Sequence, residues 1–212
     1  MNDSGLPQKL TIVLDEFLCL LKKVYGNSLV SVMTYGSAAR GNFISGISRI
    51  DVAVVLDDTS LASLSEIKGC LQKSVFAPVA PVFFTEDYIK KSLDVFPIEF
   101  LDMRDDHVVL YGKDVLKDIE IDLRNLRFQC EHELRSKLIN IKRAYLSASG
   151  TGAKRELLFK FVTSLSHIMR NVMRMKGRAH SASSAVLNDC AREFAIDITN
   201  IARAMEAKTK NL

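Results

Sequence analysis

An apolar run rich in β-branched residues, Ser28 to Tyr35, breaks abruptly at Gly36-Ser37, and a second such run opens at Arg49-Ile50-Asp51. Eleven residues lie between Ser37 and Arg49. This spacing constrains the chain more than any other feature. It predicts two strands, residues 28–35 and 49–56, joined by a helical turn over Ser37 to Gly41 and a loop over Asn42 to Ser48. Side chains alternate along a strand, so residues 49 and 51 share one face. The turn therefore leads into a position where two side chains stand together at a strand's start.

The surrounding pattern supports an α/β unit. Leu10, Leu14, Phe17, Leu18, Leu21, Val24 and Tyr25 share a helical face over residues 7–25, and Gly26-Asn27 stops that helix. Leu61, Leu64, Ile67 and Leu71 predict a second amphipathic helix. Val79 to Phe84 is expected as an edge strand because Pro81 cannot donate to a ladder. Thr85 caps a short helix to about Ser92. Phe96 to Met103 is expected as a strand, as is Val108 to Tyr111, which Gly112 ends.

From Asp122 onward the period is helical throughout. Leu123, Leu126, Cys130, Leu134, Leu138, Ile141 and Tyr145 predict one long helix, and Leu158 through Met173 a second that Gly177 ends. Two shorter helices follow, over 183–194 and from Ile198 to about Ala207. The expected architecture is an α/β domain with a mixed sheet over residues 1–120 and an all-α helical bundle over 121–212.

Charge follows the same division. Residues 1–120 hold 12 Lys/Arg and 17 Asp/Glu, a balance of −5, and residues 121–212 hold 17 and 8, a balance of +9, which sum to the chain's +4. A basic second half suits an anionic partner, nucleic acid included, with the run Arg170, Arg174, Lys176, Arg178 as its densest part. The plain alternative is a solvated helix surface whose last-turn cations complement the helix C-terminus. Its apolar helical faces are also candidates for homodimer formation. The four cysteines are far apart, which predicts free buried thiols in a reducing, cytoplasmic setting. No apolar run is long enough to span a membrane, so no membrane role is expected.

A Gly-Ser step between a strand and a helical turn has a physical use. Gly36 permits close backbone approach, and the turn offers N–H groups and the Ser37 hydroxyl to a phosphate. Two carboxylates at positions 49 and 51 would gather magnesium for in-line displacement at phosphorus, with a third acid on a neighbouring strand. Glu99, flanked by Ile98 and Phe100 in an expected strand, is the candidate third acid.

Gly36-Ser37-Ala38-Ala39-Arg40-Gly41, read with Ser48-Arg49-Ile50-Asp51, resembles the nucleotidyltransferase superfamily of DNA polymerase beta-like fold. It is similar to the minimal and aminoglycoside-type members that append a helical bundle. The resemblance implies Gly36, Ser37 and Arg40 at a nucleoside triphosphate such as ATP, Asp51 as a catalytic metal ligand, and Glu99 as the third catalytic carboxylate, which activates the attacking hydroxyl or sits on the metal. It also implies Mg2+ as cofactor. The departure is Arg49, where the family pattern has the first Asp. A carboxylate about 5 Å from a divalent ion contributes roughly 6–7 kcal/mol at an effective dielectric near 20, and Arg reverses its sign. Arg does not deprotonate to escape. Three readings of Arg49 remain open: neutralisation of Asp51 and Glu99 in an ion pair, direct binding of a nucleotide phosphate, or a shifted register in which Asp57 or Asp58 supplies the acid. The expectation is a catalytically impaired, nucleotide-binding or regulatory relative. The alternatives are an active Mg-dependent enzyme moving a nucleoside monophosphate to a hydroxyl, and an antitoxin-type interaction partner.

Overall fold

The computed structural model describes residues 8–41, 49–178 and 183–209. The chain divides into two compact units, Met1–Ile121 and Asp122–Leu212. The expected Asn42–Ser48 loop lies outside the described residues.

In the first unit the elements run α1 (Gln8–Tyr25), β1 (Leu29–Tyr35), β2 (Ile50–Leu56), α2 (Leu61–Leu71), β3 (Val79–Phe84), α3 (Glu86–Ser92), α4 (Pro97–Asp105) and β4 (His107–Gly112). The sheet order is β3-β2-β1-β4, with β2 and β3 parallel and the other pairs antiparallel. This is the mixed sheet expected from the pattern. Pro81 does sit on an edge strand.

Strand alternation divides the core between two faces. On one, Val32, Ile50, Val52, Val54 and Leu56 pack against the α1 stripe Leu10, Leu14, Phe17, Leu21. On the other, Met33, Ala53 and Val55 meet Ile89 of α3, Phe100 and Met103 of α4, and Leu116. Fully burying a side chain of this size stabilises by about 1.5–3 kcal/mol, so both faces hold the sheet firmly. Asp51 shares its parity with Ala53 and Val55 and therefore belongs to the second face.

One element differs in kind from its expectation. Residues 97–105 form helix α4, where a strand was expected over Phe96 to Met103. Pro97 stands at the start of that helix, the position where its fixed φ and missing N–H cost nothing. Ile98, Phe100, Leu101 and Met103 are all buried, so α4 is apolar on most of its circumference. Its Ile98-Glu99-Phe100 start mimics a strand's alternation.

The second unit is helical: α5 (Leu123–Ser147), α6 (Gly150–Arg174), α7 (Ser183–Phe194) and α8 (Thr199–Thr209). Asp122 caps α5 by accepting from the Arg124 N–H at 2.8 Å. The expected break over Ser147 to Gly152 is shorter, because α6 already begins at Gly150. Among the described residues no helix is long and apolar enough to cross a membrane. All four cysteines are free; Cys130 and Cys190 are buried, but Cys19 is exposed, against the expectation for that residue.

Candidate functional site

The Gly-Ser turn is built by the end of β1. Gly36 has φ +69°, a conformation that costs other L-residues about 1–2 kcal/mol. Its N–H donates to the Asp106 carbonyl at 3.0 Å, and its carbonyl accepts from the Arg40 N–H at 3.1 Å. Gly41 N–H closes the turn onto the Ala38 carbonyl. The expected helical turn over Ser37 to Gly41 is thus present. Among the described residues no backbone acceptor meets the N–H groups of Ser37, Ala38 and Ala39, which leaves a short row of donors at the turn.

Antiparallel and parallel pairing set Asp51 in a cross-sheet row. Asp51 lies opposite Tyr35 on β1 and opposite Ala80 on β3, and Tyr35 in turn lies opposite His107 on β4. The row reads Ala80, Asp51, Tyr35, His107. Gly36 closes over its middle: a Cβ at that residue would stand 3.3 Å from Asp51 Oδ2.

Only one carboxylate occupies this row. Glu99 is an exposed residue in the first turn of α4, not a strand residue beside Asp51. The strand expected to carry it as third acid is thus a helix. The strand neighbours of Asp51 are Tyr35 and Ala80, and neither is an acid. Asp57 and Asp58 follow the last residue of β2, six or more residues from Asp51. Asp58 accepts from the Ser60 N–H and hydroxyl at 2.9 and 2.7 Å, a turn arrangement that removes the shifted-register reading. Among the described residues no three His, Cys, Asp or Glu side chains are grouped to hold a metal ion. Magnesium needs several oxygen ligands, and a pair of ions needs bridging carboxylates. One Asp between two arginines does not fit that demand.

Electrostatics agree with geometry. Burial pushes the Asp51 carboxyl above its ordinary value, while Arg49 and Arg40 pull it back down. Arg49 is exposed and immediately precedes β2. Among the described residues it makes no ion pair within 4 Å with Asp51 or Glu99, so the buried three-residue ion pair is not formed. Arg40 instead pairs with Asp106 through Nη1 and Oδ2 at 2.6 Å, which ties the turn to the entry of β4. His107 faces acceptors on both ring nitrogens, the Arg104 carbonyl at 2.8 Å and Asp114 at 3.1 Å.

Tyr35 and His107 were not foreseen as members of the site. Tyr35 directly precedes the Gly-Ser step, so its parity with Met33 was the available signal; His107 required the β1–β4 register. Burial, and then the Asp51 charge, push the Tyr35 phenol up to about 12. A spectrophotometric titration of tyrosinate should show one late component near pH 12 that Tyr35→Phe removes. Asp51→Asn should move that component to lower pH. An unchanged curve in both variants would refute the proximity.

The basic run of the second unit has internal partners. Lys176 and Arg178 both pair with Glu193 of α7, at 3.4 and 3.1 Å. Arg174 donates to the Asn171 side chain at 2.6 Å. These contacts favour the structural reading of the run over a nucleic-acid surface.

No family model matches the chain, and no curated protein matches it in sequence. Among solved structures, the chain is similar to spectinomycin adenyltransferase AAD(9) from Enterococcus faecialis, crystallised with ATP and spectinomycin. The match covers 93% of this chain and 96% of that one, at TM-score 0.47 and 12% identity. A likeness of that size leaves the functional reading to the residues of the site itself.

Proposed function

We propose that this chain is a nucleotidyltransferase-like protein that binds a nucleoside triphosphate without two-metal catalysis and works as a nucleotide-binding or regulatory protein. The observation that carries the reading is the Ala80–Asp51–Tyr35–His107 row, which has one carboxylate where metal-assisted phosphoryl chemistry needs at least two. The Gly36-Ser37 turn, whose Ser37, Ala38 and Ala39 N–H groups meet no backbone acceptor among the described residues, supports retention of phosphate binding. Arg49, exposed and near Asp51, supplies positive charge where the family pattern supplies a metal-bound carboxylate. In this reading the guanidinium meets the phosphate directly.

Thermal unfolding with ATP or GTP, in magnesium or in EDTA, tests this. The expected result is stabilisation in EDTA that magnesium does not increase. A ligand at a hundred times its Kd adds about 2.7 kcal/mol, enough for a clear shift. Arg49→Ala should weaken binding about tenfold or more, as befits loss of a charge-assisted contact of roughly 1.5–3 kcal/mol. Magnesium-dependent stabilisation accompanied by pyrophosphate release would establish the active enzyme instead. Absence of binding to either nucleotide would leave an interaction role of the antitoxin kind.

A further inference from the structure

Asp106 is the single residue between α4, which ends at Asp105, and β4, which begins at His107. Its φ of −134° and ψ of 68° carry the chain from the helix into the strand. The residue after it is anchored twice, since the His107 ring meets the Arg104 carbonyl at 2.8 Å and Asp114 at 3.1 Å. A helix end, a strand start and a tethered ring thus fix where Asp106 points.

Both acceptors of this fixed residue meet the Gly-Ser turn. The Asp106 carbonyl accepts from the Gly36 N–H at 3.0 Å, and the carboxylate accepts from Arg40 Nη1 at 2.6 Å. The first contact holds the start of the turn and the second holds its far side. Between them lie Ser37, Ala38 and Ala39, whose N–H groups meet no backbone acceptor among the described residues. Inside the turn, Arg40 N–H donates to the Gly36 carbonyl at 3.1 Å and Gly41 N–H to the Ala38 carbonyl at 3.2 Å. A turn that keeps three donors uncommitted has fewer internal bonds to define it, so a hold from outside sets their direction. The Arg40 and Asp106 side chains are 27% and 30% exposed, which shields their contact more than that of a surface pair. Its length is that of a charge-assisted hydrogen bond. The same carboxylate puts a negative charge beside the donors, which on Coulombic grounds alone disfavours a phosphate. Its service to an anion site is therefore geometric, and that gives the test its sign.

We infer that Asp106 is a positioning residue of the nucleotide site. Through its carbonyl on Gly36 and its carboxylate on Arg40 it holds the Ser37–Ala39 donors in the arrangement that a triphosphate meets. Arg40 serves the site by way of Asp106, and not as a phosphate ligand. This inference rests on the nucleotide-binding reading above.

Calorimetric titration of the full chain with ATP in EDTA tests it, well below the melting midpoint, where a merely destabilised protein is still folded and keeps its affinity. Asp106→Ala is expected to weaken ATP binding about tenfold, and Asp106→Asn, which keeps the residue's size and carbonyl, about threefold. Arg40→Met should match Asp106→Ala. The double variant Arg40→Met, Asp106→Ala should lie within about twofold of either single one, because one contact is lost once. Were Arg40 itself the phosphate ligand, Asp106→Asn would free its guanidinium and remove a negative charge, and affinity would rise. A rise or an unchanged affinity in the two Asp106 variants overturns the proposal, and so does an additive double variant. Amide hydrogen exchange of the unliganded protein reads the hold without nucleotide. In Asp106→Asn the Gly36, Arg40 and Gly41 amides should lose about tenfold in protection while those of β2 keep theirs. Unchanged protection at the turn overturns the hold. A wild type that binds neither ATP nor GTP overturns the nucleotide reading instead, and the exchange result then decides the hold by itself.

Discussion

Gly112→Ala is expected to remove a large share of the first unit's stability. Gly112 closes β4 at φ +74°, and a Cβ there would lie 2.0 Å from the Val30 carbonyl oxygen, 3.0 Å from its carbon and 3.1 Å from Ser31 Cα. All three are backbone atoms of β1, which no rotamer change relieves. The neighbourhood is also strapped together: the Ser31 hydroxyl donates to the Lys113 carbonyl at 2.7 Å, and Ser31 pairs with Gly112 in the ladder. A methyl group would therefore push β4 off β1 and break the edge of the sheet.

Two costs combine at that position. The left-handed backbone costs an L-residue about 1–2 kcal/mol. Forcing a carbon into an occupied site costs about 1–3 kcal/mol more when neighbours yield, and here they do not. A loss of about 3–5 kcal/mol is expected, a large share of the 5–15 kcal/mol that holds a domain together. At roughly 2–4 °C per kcal/mol for chains of this length, the melting midpoint should fall by about 6–20 °C. Gly26→Ala is the control. It has φ +49° but open space around its Cβ, so it should lose only the backbone share. Equal losses in the two variants would show that the β1–β4 contact is not tight.

Most of the first unit's frame was legible because its signals are local. β1, β2 and β3 follow from β-branched runs bounded by Gly, Asp or Pro, and α1 from an unbroken stripe of apolar residues. α4 was not legible as a helix, because its buried residues cover most sides and leave no period to detect. Pro97 at its first position was the one local signal, and the alternation of Ile98, Glu99 and Phe100 masked it. That single misreading placed Glu99 on a strand. The row of residues around Asp51 was illegible for a different reason: Ala80 and His107 join it through the pairings Asp51–Ala80 and Tyr35–His107, 29 and 72 residues apart in sequence, which only the register fixes. The register also sharpens the defect. Arg49→Asp alone supplies one carboxylate, and the strand neighbour at Ala80 still supplies none.

Gly36→Ala is expected to damage stability and nucleotide binding together, and the two losses should separate in a double mutant. The φ of +69° costs alanine about 1–2 kcal/mol wherever it occurs. The added methyl also stands 3.3 Å from Asp51 Oδ2, close enough that the carboxylate must shift by a few tenths of an ångström. Asp51 is held from behind, since its own carbonyl accepts from the Thr34 hydroxyl at 3.1 Å and its strand is paired on both sides. The strain therefore falls on the side chain and, through it, on the field that Arg49 and Arg40 share with it. In an Asp51→Ala background the contact is gone while the backbone cost stays. The destabilisation by Gly36→Ala should shrink there by about 0.5–1 kcal/mol, the size expected for coupling between touching residues. On the proposed nucleotide-binding reading, ATP affinity should fall in both backgrounds, because the turn's donors are displaced in each. Identical destabilisation with and without the Asp51 carboxylate would mean that the turn and the acid are not in contact. An affinity loss confined to the wild-type background would mean that Asp51, rather than the turn, holds the phosphate site in shape.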